Sequence, residues 1–250
     1  MKQKNVGGNI VSQISGSFKK FDFSIGSHYH YFIQSIDYSE EIIISHLSSF
    51  TVFLLEKPNT SSIKVETISN DMQVGDCVQF EGHSCRLTVL GGGVKIIVAG
   101  TKIPADVPAG IKYIASEDIY RVRKPWGHEL WMNGQHQNYA LKQIFIKSGT
   151  KTSLQYHHFK RETNVLMEGK CRLHYKKNSD ILNDEVKESN IEVLNLDAIS
   201  SIDVSPLTIH RIEAVTDVVL YEVSTPHLDD VVRVLDDTNR TNGRLLEEHE

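Results

Sequence analysis

The 250-residue sequence has no surplus of basic charge: 27 Lys and Arg stand against 32 Asp and Glu, a formal net charge of −5. A broad surface for nucleic acid is thereby excluded, although a local basic pocket is not. Long apolar runs are missing as well. Stretches such as Glu41 to Ser45 are broken by Glu and Ser far short of a bilayer span, and the start, Met1-Lys2-Gln3-Lys4-Asn5, has no apolar signal core. These absences predict a cytoplasmic protein with no membrane partner. Cysteine is scarce: Cys77, Cys85 and Cys171 have no paired zinc spacing and leave one over from any disulfide scheme, so a reduced compartment and buried or half-buried thiols are expected. A sustained helical period is also lacking, and only Pro226 to Val234 offers one short helix.

What the chain does have is a strand rhythm. In the first half, Glu41 to His46, Phe50 to Leu55, Ile63 to Ile68, Cys77 to Phe80, Arg86 to Leu90 and Val94 to Val98 are β-rich runs, several alternating apolar and polar side chains. Turn residues punctuate them at Lys57-Pro58-Asn59-Thr60, Val74-Gly75-Asp76 and Gly91-Gly92-Gly93. Thr101 to Gly110, with Pro104 and Pro108, reads as a linker or strap. The rhythm resumes with Tyr139 to Lys147, Ser153 to His158, Asn164 to Met167, Lys170 to Tyr175, Ile191 to Leu196, Ser200 to Val204, His210 to Ala214 and Val218 to Glu222. Runs this short and this dense favour an antiparallel jelly roll over an α/β sheet. The length suits two domains, each with its own core, with boundaries expected at 1–110 and 111–250. The polar tail from Asp236 reads as loop or frayed end.

One constellation carries chemistry. On a strand, residues two apart share a face, so Gln155 and His157 can both point into a barrel. Glu162, beyond a bend, can return a carboxylate to the same point. Gly169 permits the turn into the next run, and His210, at the head of a late strand, can supply a fourth ligand from across the barrel. A set of amide, imidazole and carboxylate suits one borderline divalent ion, Zn first, with Mn, Fe, Co or Ni able to replace it.

The spacing resembles the first motif of the cupin superfamily, G-x5-H-x-H-x4-E-x6-G. Gly149, His157, Glu162 and Gly169 match in register, and Gln155 stands where the first His is usual. Ser153-Leu154-Gln155-Tyr156-His157-His158 followed by Arg161-Glu162 is similar to the Ser-Leu-Gln-x-His segment of type II mannose-6-phosphate isomerases, whose metal site uses Gln, His, Glu and His. Pro206 to Arg211 resembles their second motif, one residue short between Pro and His and without its Gly. Lys124-Pro125-Trp126-Gly127, Glu222-Val223-Ser224 and Asp229-Asp230-Val231-Val232-Arg233 extend the likeness over roughly Val122 to Arg244. The resemblance implies an all-β bicupin of two tandem barrels, the N-terminal one degenerate. It further implies a metal-dependent sugar-phosphate isomerase-like activity in activated-sugar or surface-polysaccharide metabolism.

Within that reading Lys142, implied to point inward, Glu222 and a metal-bound water are the candidate proton-transfer groups. Arg161, on the bend, and Arg211 are candidates to hold a phosphate, although regular alternation turns Arg211 away from His210. Trp126 can stack on a sugar face. His158 is expected on the outer face. His28-Tyr29-His30 has no carboxylate five residues on, so it is expected to be structural. The expected partner is a sugar phosphate or sugar nucleotide, and the expected assembly a homodimer. Two alternatives stay open: a non-catalytic sugar or sugar-nucleotide binding module, and another cupin enzyme, either a nucleotide-sugar epimerase or a dioxygenase.

Overall fold

The computed structural model describes residues 2–6, 11–15, 20–25, 28–134, 136–177, 191–238 and 243–244. Among them the chain is almost wholly β, with one 3-10 turn at Ser116–Asp118 and no α-helix. No helix there is long and apolar enough to cross a membrane. The polar tail beyond Thr238 lies outside the described residues, apart from Gly243–Arg244. Two compact units form, and neither is one unbroken stretch: Gly16–Tyr120 joins Trp131–Leu141, while Met1–Ser15 and Arg121–Leu130 join Lys142–Glu250.

The chain opens with the antiparallel pair β1 (Lys2–Val6) and β2 (Val11–Ser15). The first-half unit follows with β3 (Lys20–Ile25), β4 (Tyr29–Ile36), β5 (Glu40–Ile44), β6 (Ser49–Glu56), β7 (Ser62–Val65), β8 (Cys77–Glu81), β9 (Cys85–Leu90), β10 (Val94–Thr101) and β11 (Gly110–Ile114). These make a six-stranded sheet ordered β11-β8-β6-β10-β4-β3 and a three-stranded sheet ordered β5-β9-β7. Alternation decides which side chains meet between them. Cys85, Leu87 and Val89 of β9 turn inward while Arg86 and Leu90 face out. Inward residues of the other strands, among them Phe50, Val52 and Leu54, complete a core in which every fully buried member is apolar or a thiol. Phe50 and Phe80 stack at 4.7 Å in its middle.

The second-half strands are β12 (Tyr120–Lys124), β13 (Gly127–Trp131), β14 (Ala140–Ile146), β15 (Leu154–Tyr156), β16 (Glu162–Glu168), β17 (Lys170–Lys177), β18 (Glu192–Asp197), β19 (Ser200–Val204), β20 (Thr208–Ala214), β21 (Val218–Ser224), β22 (Val232–Leu235) and β23 (Gly243–Arg244). An eight-stranded sheet, β1-β2-β19-β16-β21-β14-β13-β12, packs its inner face on a six-stranded sheet, β18-β17-β20-β15-β22-β23. Ile146, Leu166, Ile202 and Leu220 come from the first sheet, Leu173, Leu196 and Ile212 from the second. Gly169 takes φ +88° between β16 and β17, and a Cβ there would meet the Asp217 carbonyl oxygen at 2.1 Å, so this turn accepts only glycine. Pro226 to Val234 is not the expected helix. It runs as turns into β22, because Val232 and Arg233 pair with Tyr156 and Gln155 and take up the ladder bonds a helix would need. All three cysteines are free and buried, and burial pushes each thiol up to about 12.

Candidate metal centre

Strand pairing in the second-half unit brings the constellation together. β15 carries Gln155 and lies between β20 and β22, so that Gln155 sits directly opposite His210. Glu162 is the first residue of β16, Asn164 shares its inward face by alternation, and Lys160, on the bend before the strand, also lines the cavity. Glu222 of β21 pairs across the sheet with Asn164. Lys142, Ile144 and Ile146 point inward from β14 by the same two-residue period. The result is a cavity of about 70 Å³, several times the room one water needs. Gln155, His157, Lys160, Glu162, His210 and Glu222 line its polar side, and Trp126, Ile144, Ile146, Ile212, Leu220 and Leu228 its apolar side.

The ligand-type atoms of His157, Glu162 and His210 all lie within 4.8 Å of one another, and all three residues are buried. Glu162 Oε1 is 3.1 Å from His210 Nε2, and Glu162 Oε2 is 3.5 Å from His157 Nε2. Each imidazole has its other nitrogen against a backbone carbonyl: His157 Nδ1 meets the Asp230 oxygen, and His210 Nδ1 the Thr208 oxygen at 3.0 Å. A carbonyl only accepts, so both Nδ1 atoms carry protons, and in the neutral rings both Nε2 atoms present lone pairs toward a carboxylate. His157 Nε2 is buried with no hydrogen-bond partner among the described residues. Lone pairs of two imidazoles and a carboxylate facing one point repel unless something electropositive lies between them, and this donor set fits a divalent cation.

Lys160 is the part of the site that the sequence reading missed. Its buried ammonium is 2.6 Å from Glu162 Oε2 and 2.8 Å from Glu222 Oε1. Burial alone would lower its pKa, but the two carboxylates win and raise it, so it stays charged. Burial likewise opposes ionisation of Glu162, yet the Lys160 ammonium holds its carboxyl well below the usual value. Asn164 Nδ2 donates to Glu162 Oε1 at 3.0 Å, and Ser224 Oγ to Glu222 Oε1 at 3.1 Å. The even spacing 160, 162, 164 was the available signal, masked because a lysine next to a bend normally reads as solvated.

The remaining expected residues divide. Lys142 is buried in the cavity wall with its ammonium 3.5 Å from Glu129 Oε2, and Trp126 and Glu222 also line the cavity. Gln155 lines it too, its Oε1 accepting from Ser153 Oγ at 2.8 Å. Arg161 and Arg211 are not brought there. Arg161 reaches outward to Asp203 at 3.1 Å and Ser205 at 3.0 Å, and Arg211, on the face opposite His210, reaches Asp237 and the Leu235 carbonyl, each at 3.3 Å. His158, on the bend after β15, is exposed.

Comparison with known proteins agrees with this architecture. The chain is similar to oxalate decarboxylase from Lactobacillus farciminis (TM-score 0.61, 11% identity, 89% of this chain and 90% of that chain). It is similar to an IolB-like protein from Salmonella typhimurium LT2 (TM-score 0.63, 12% identity, 88% and 94%). A third likeness is to quercetin 2,3-dioxygenase from Acinetobacter baumannii (TM-score 0.53, 11% identity, 79% and 73%). Residues 113–236 match the family model of the mannose-6-phosphate isomerase C-terminal domain. The chain has the bicupin fold. No curated protein sequence matches this bicupin significantly. The solved relatives fix its fold, and at 9–12% identity they fix nothing finer. A bicupin of another source, the oxalate decarboxylase of Bacillus subtilis, is described with Mn(II) centres.

Proposed function

We propose that the second-half barrel is a divalent-metal site that isomerises a sugar phosphate, with Gln155, His157, Glu162 and His210 as ligands and Zn the first choice of ion. The observation that supports this most is the convergence of two Nε2 lone pairs on the buried Glu162 carboxylate. The family match over residues 113–236 supports the substrate class. A bound ion would polarise a carbonyl oxygen and so acidify the neighbouring C–H.

The chain's own residues then have separate tasks. Lys160 bridges the Glu162 and Glu222 carboxylates and holds them in place. Glu222 accepts both of its hydrogen bonds among the described residues on Oε1, which leaves Oε2 as the oxygen with capacity to take a proton. Lys142, held by Glu129, is the proton donor on the other wall. Trp126 and the isoleucines exclude water. On this reading the phosphate falls to the lysines, since Arg161 and Arg211 are engaged by aspartates outside the cavity. The protein acts in the cytosol as a homodimer.

That same engagement favours a second reading, a bicupin that binds a sugar or sugar nucleotide without turning it over. Elemental analysis of the purified protein, followed by an NMR assay of mannose-6-phosphate, fructose-6-phosphate and related sugar phosphates, separates the two. One metal per chain with interconversion supports the isomerase. Metal and saturable binding without interconversion supports the second reading, and absence of metal removes both roles from this site.

A further inference from the structure

The strand that closes the barrel is not the end of the site. After β21 the chain turns back across the bend that carries His157 to Glu162, and one residue of that return, Asp230, makes three contacts to it. Its carbonyl oxygen accepts from His157 Nδ1. Its carboxylate Oδ2 accepts from the backbone N–H of Phe159 and, at 2.9 Å, from that of Lys160. Asp230 is buried, yet it does not line the cavity. The residues it holds are the ones the site uses: an imidazole whose free nitrogen faces Glu162, and the backbone of the lysine whose ammonium spans Glu162 and Glu222. Two residues later the same segment becomes β22, which flanks the strand bearing Gln155.

Strand geometry cannot do this work. β15 ends at Tyr156, so His157 and Lys160 sit on a bend where alternation no longer aims side chains. Something outside the barrel ladder must fix the His157 ring, since a free imidazole exchanges its two tautomers and presents a lone pair from either nitrogen.

We propose that Asp230 is a positioning residue for the metal centre: its carbonyl fixes the His157 tautomer, and its carboxylate fixes the bend that presents His157 and Lys160. The proposal rests on the metal reading above for its consequence, though not for its geometry. Outer partners of this kind carry about 10- to 100-fold in metal affinity.

The test uses the full chain stripped of metal and titrated with Co(II) alone. Wild-type protein should show slow amide exchange at Phe159 and Lys160 and a 15N signature of His157 protonated at Nδ1. In Asp230→Ala those two amides should exchange faster, the freed bend should draw His157 away from the retained backbone carbonyl so that its tautomers mix, and cobalt affinity should fall about 10- to 100-fold. Amides of the β16–β21 ladder should stay protected. A folded Asp230→Ala protein with wild-type affinity, tautomer and exchange overturns the proposal. Asp230→Asn decides if the alanine variant does not fold: both keep the backbone carbonyl, but asparagine also keeps a side-chain acceptor to hold the bend against it and loses only the charge-assisted part of the bonds. Faster exchange at Phe159 and Lys160 with a pure Nδ1–H tautomer is expected there, and unchanged exchange overturns the idea. Should wild-type protein take up no cobalt, the metal reading fails by itself while exchange and tautomer still decide the role of Asp230.

Discussion

The two barrels were built from the same strand grammar and filled with opposite contents. In the first, Phe50 and Phe80 stack within a cluster of buried apolar side chains. In the second, the corresponding space between sheets holds Glu162, Glu222 and Lys160, all buried, beside two imidazoles. A buried carboxylate is tolerable only where donors surround it, and Glu162 takes the Lys160 ammonium and the Asn164 amide at close range. The fold therefore sets neither a metal site nor an apolar plug. The parity of a few inward positions does.

The largest expected difference is in metal content. Glu162→Ala or His210→Ala should reduce bound divalent metal from about one per chain to none while the barrel stays folded. Elemental analysis after gel filtration checks this, and undiminished stoichiometry in both variants would rule out the ligand assignment. Two metals per wild-type chain would break the contrast from the other side.

Next in size is the apolar interior. Phe80→Ala removes half of a stacked, fully buried pair, and should cost about 3–5 kcal/mol in denaturant unfolding. Metal content should not change. Lys160→Met makes the opposite kind of lesion, leaving Glu162 and Glu222 without their shared cation. It should cost about 3 kcal/mol in metal-free protein. Added divalent ion should restore part of that loss, which no ion should do for Phe80→Ala.

How much of this could be read from residues alone differs along the chain. Runs such as Val94 to Val98 and Lys170 to Tyr175 announced β10 and β17 because their apolar residues outnumber the polar ones or alternate with them. β12, Tyr-Arg-Val-Arg-Lys, has only Val122 buried, too thin a pattern to register. β22 was hidden by Arg233, a buried arginine that reads as exposed until its contact with Asp236 is seen. At the centre, His157, Glu162 and His210 were legible because a motif spacing and strand parity agree. Arg161 and Arg211 misled, since the aspartates that engage them lie 42 and 26 residues away and nothing local signals the pairing.

Acid should separate the barrels by a smaller amount. Glu162 is held well below its ordinary 4.5, so folding favours its ionised form. The stability this contributes is full above about pH 4.5 and drains as pH falls below it. The first barrel has a weaker counterpart at its surface: burial raises Asp71, Lys57 and its hydrogen bonds lower it further, and the resulting stability drains only below about 3.8. The chain has two tryptophans, one per unit, so Trp131→Phe and Trp126→Phe variants report them separately. The Trp126 signal should be lost at the higher pH. Coincident transitions would mean that the units unfold together.

The smallest effect is the one that most sharply separates inside from outside. Arg161 lies beside Glu162 in sequence but carries its guanidinium to Asp203 at 3.1 Å, with its side chain 27% exposed. Removing a half-exposed pair costs about 0–1 kcal/mol. Arg161→Ala should therefore leave metal content and substrate affinity unchanged and shift the thermal midpoint by no more than a few degrees. Lys160→Met, one position earlier, should alter all three. If instead Arg161→Ala raises KM for a sugar phosphate tenfold without moving the midpoint, the phosphate is bound outside the cavity wall, and the interior lysines serve only the carboxylates.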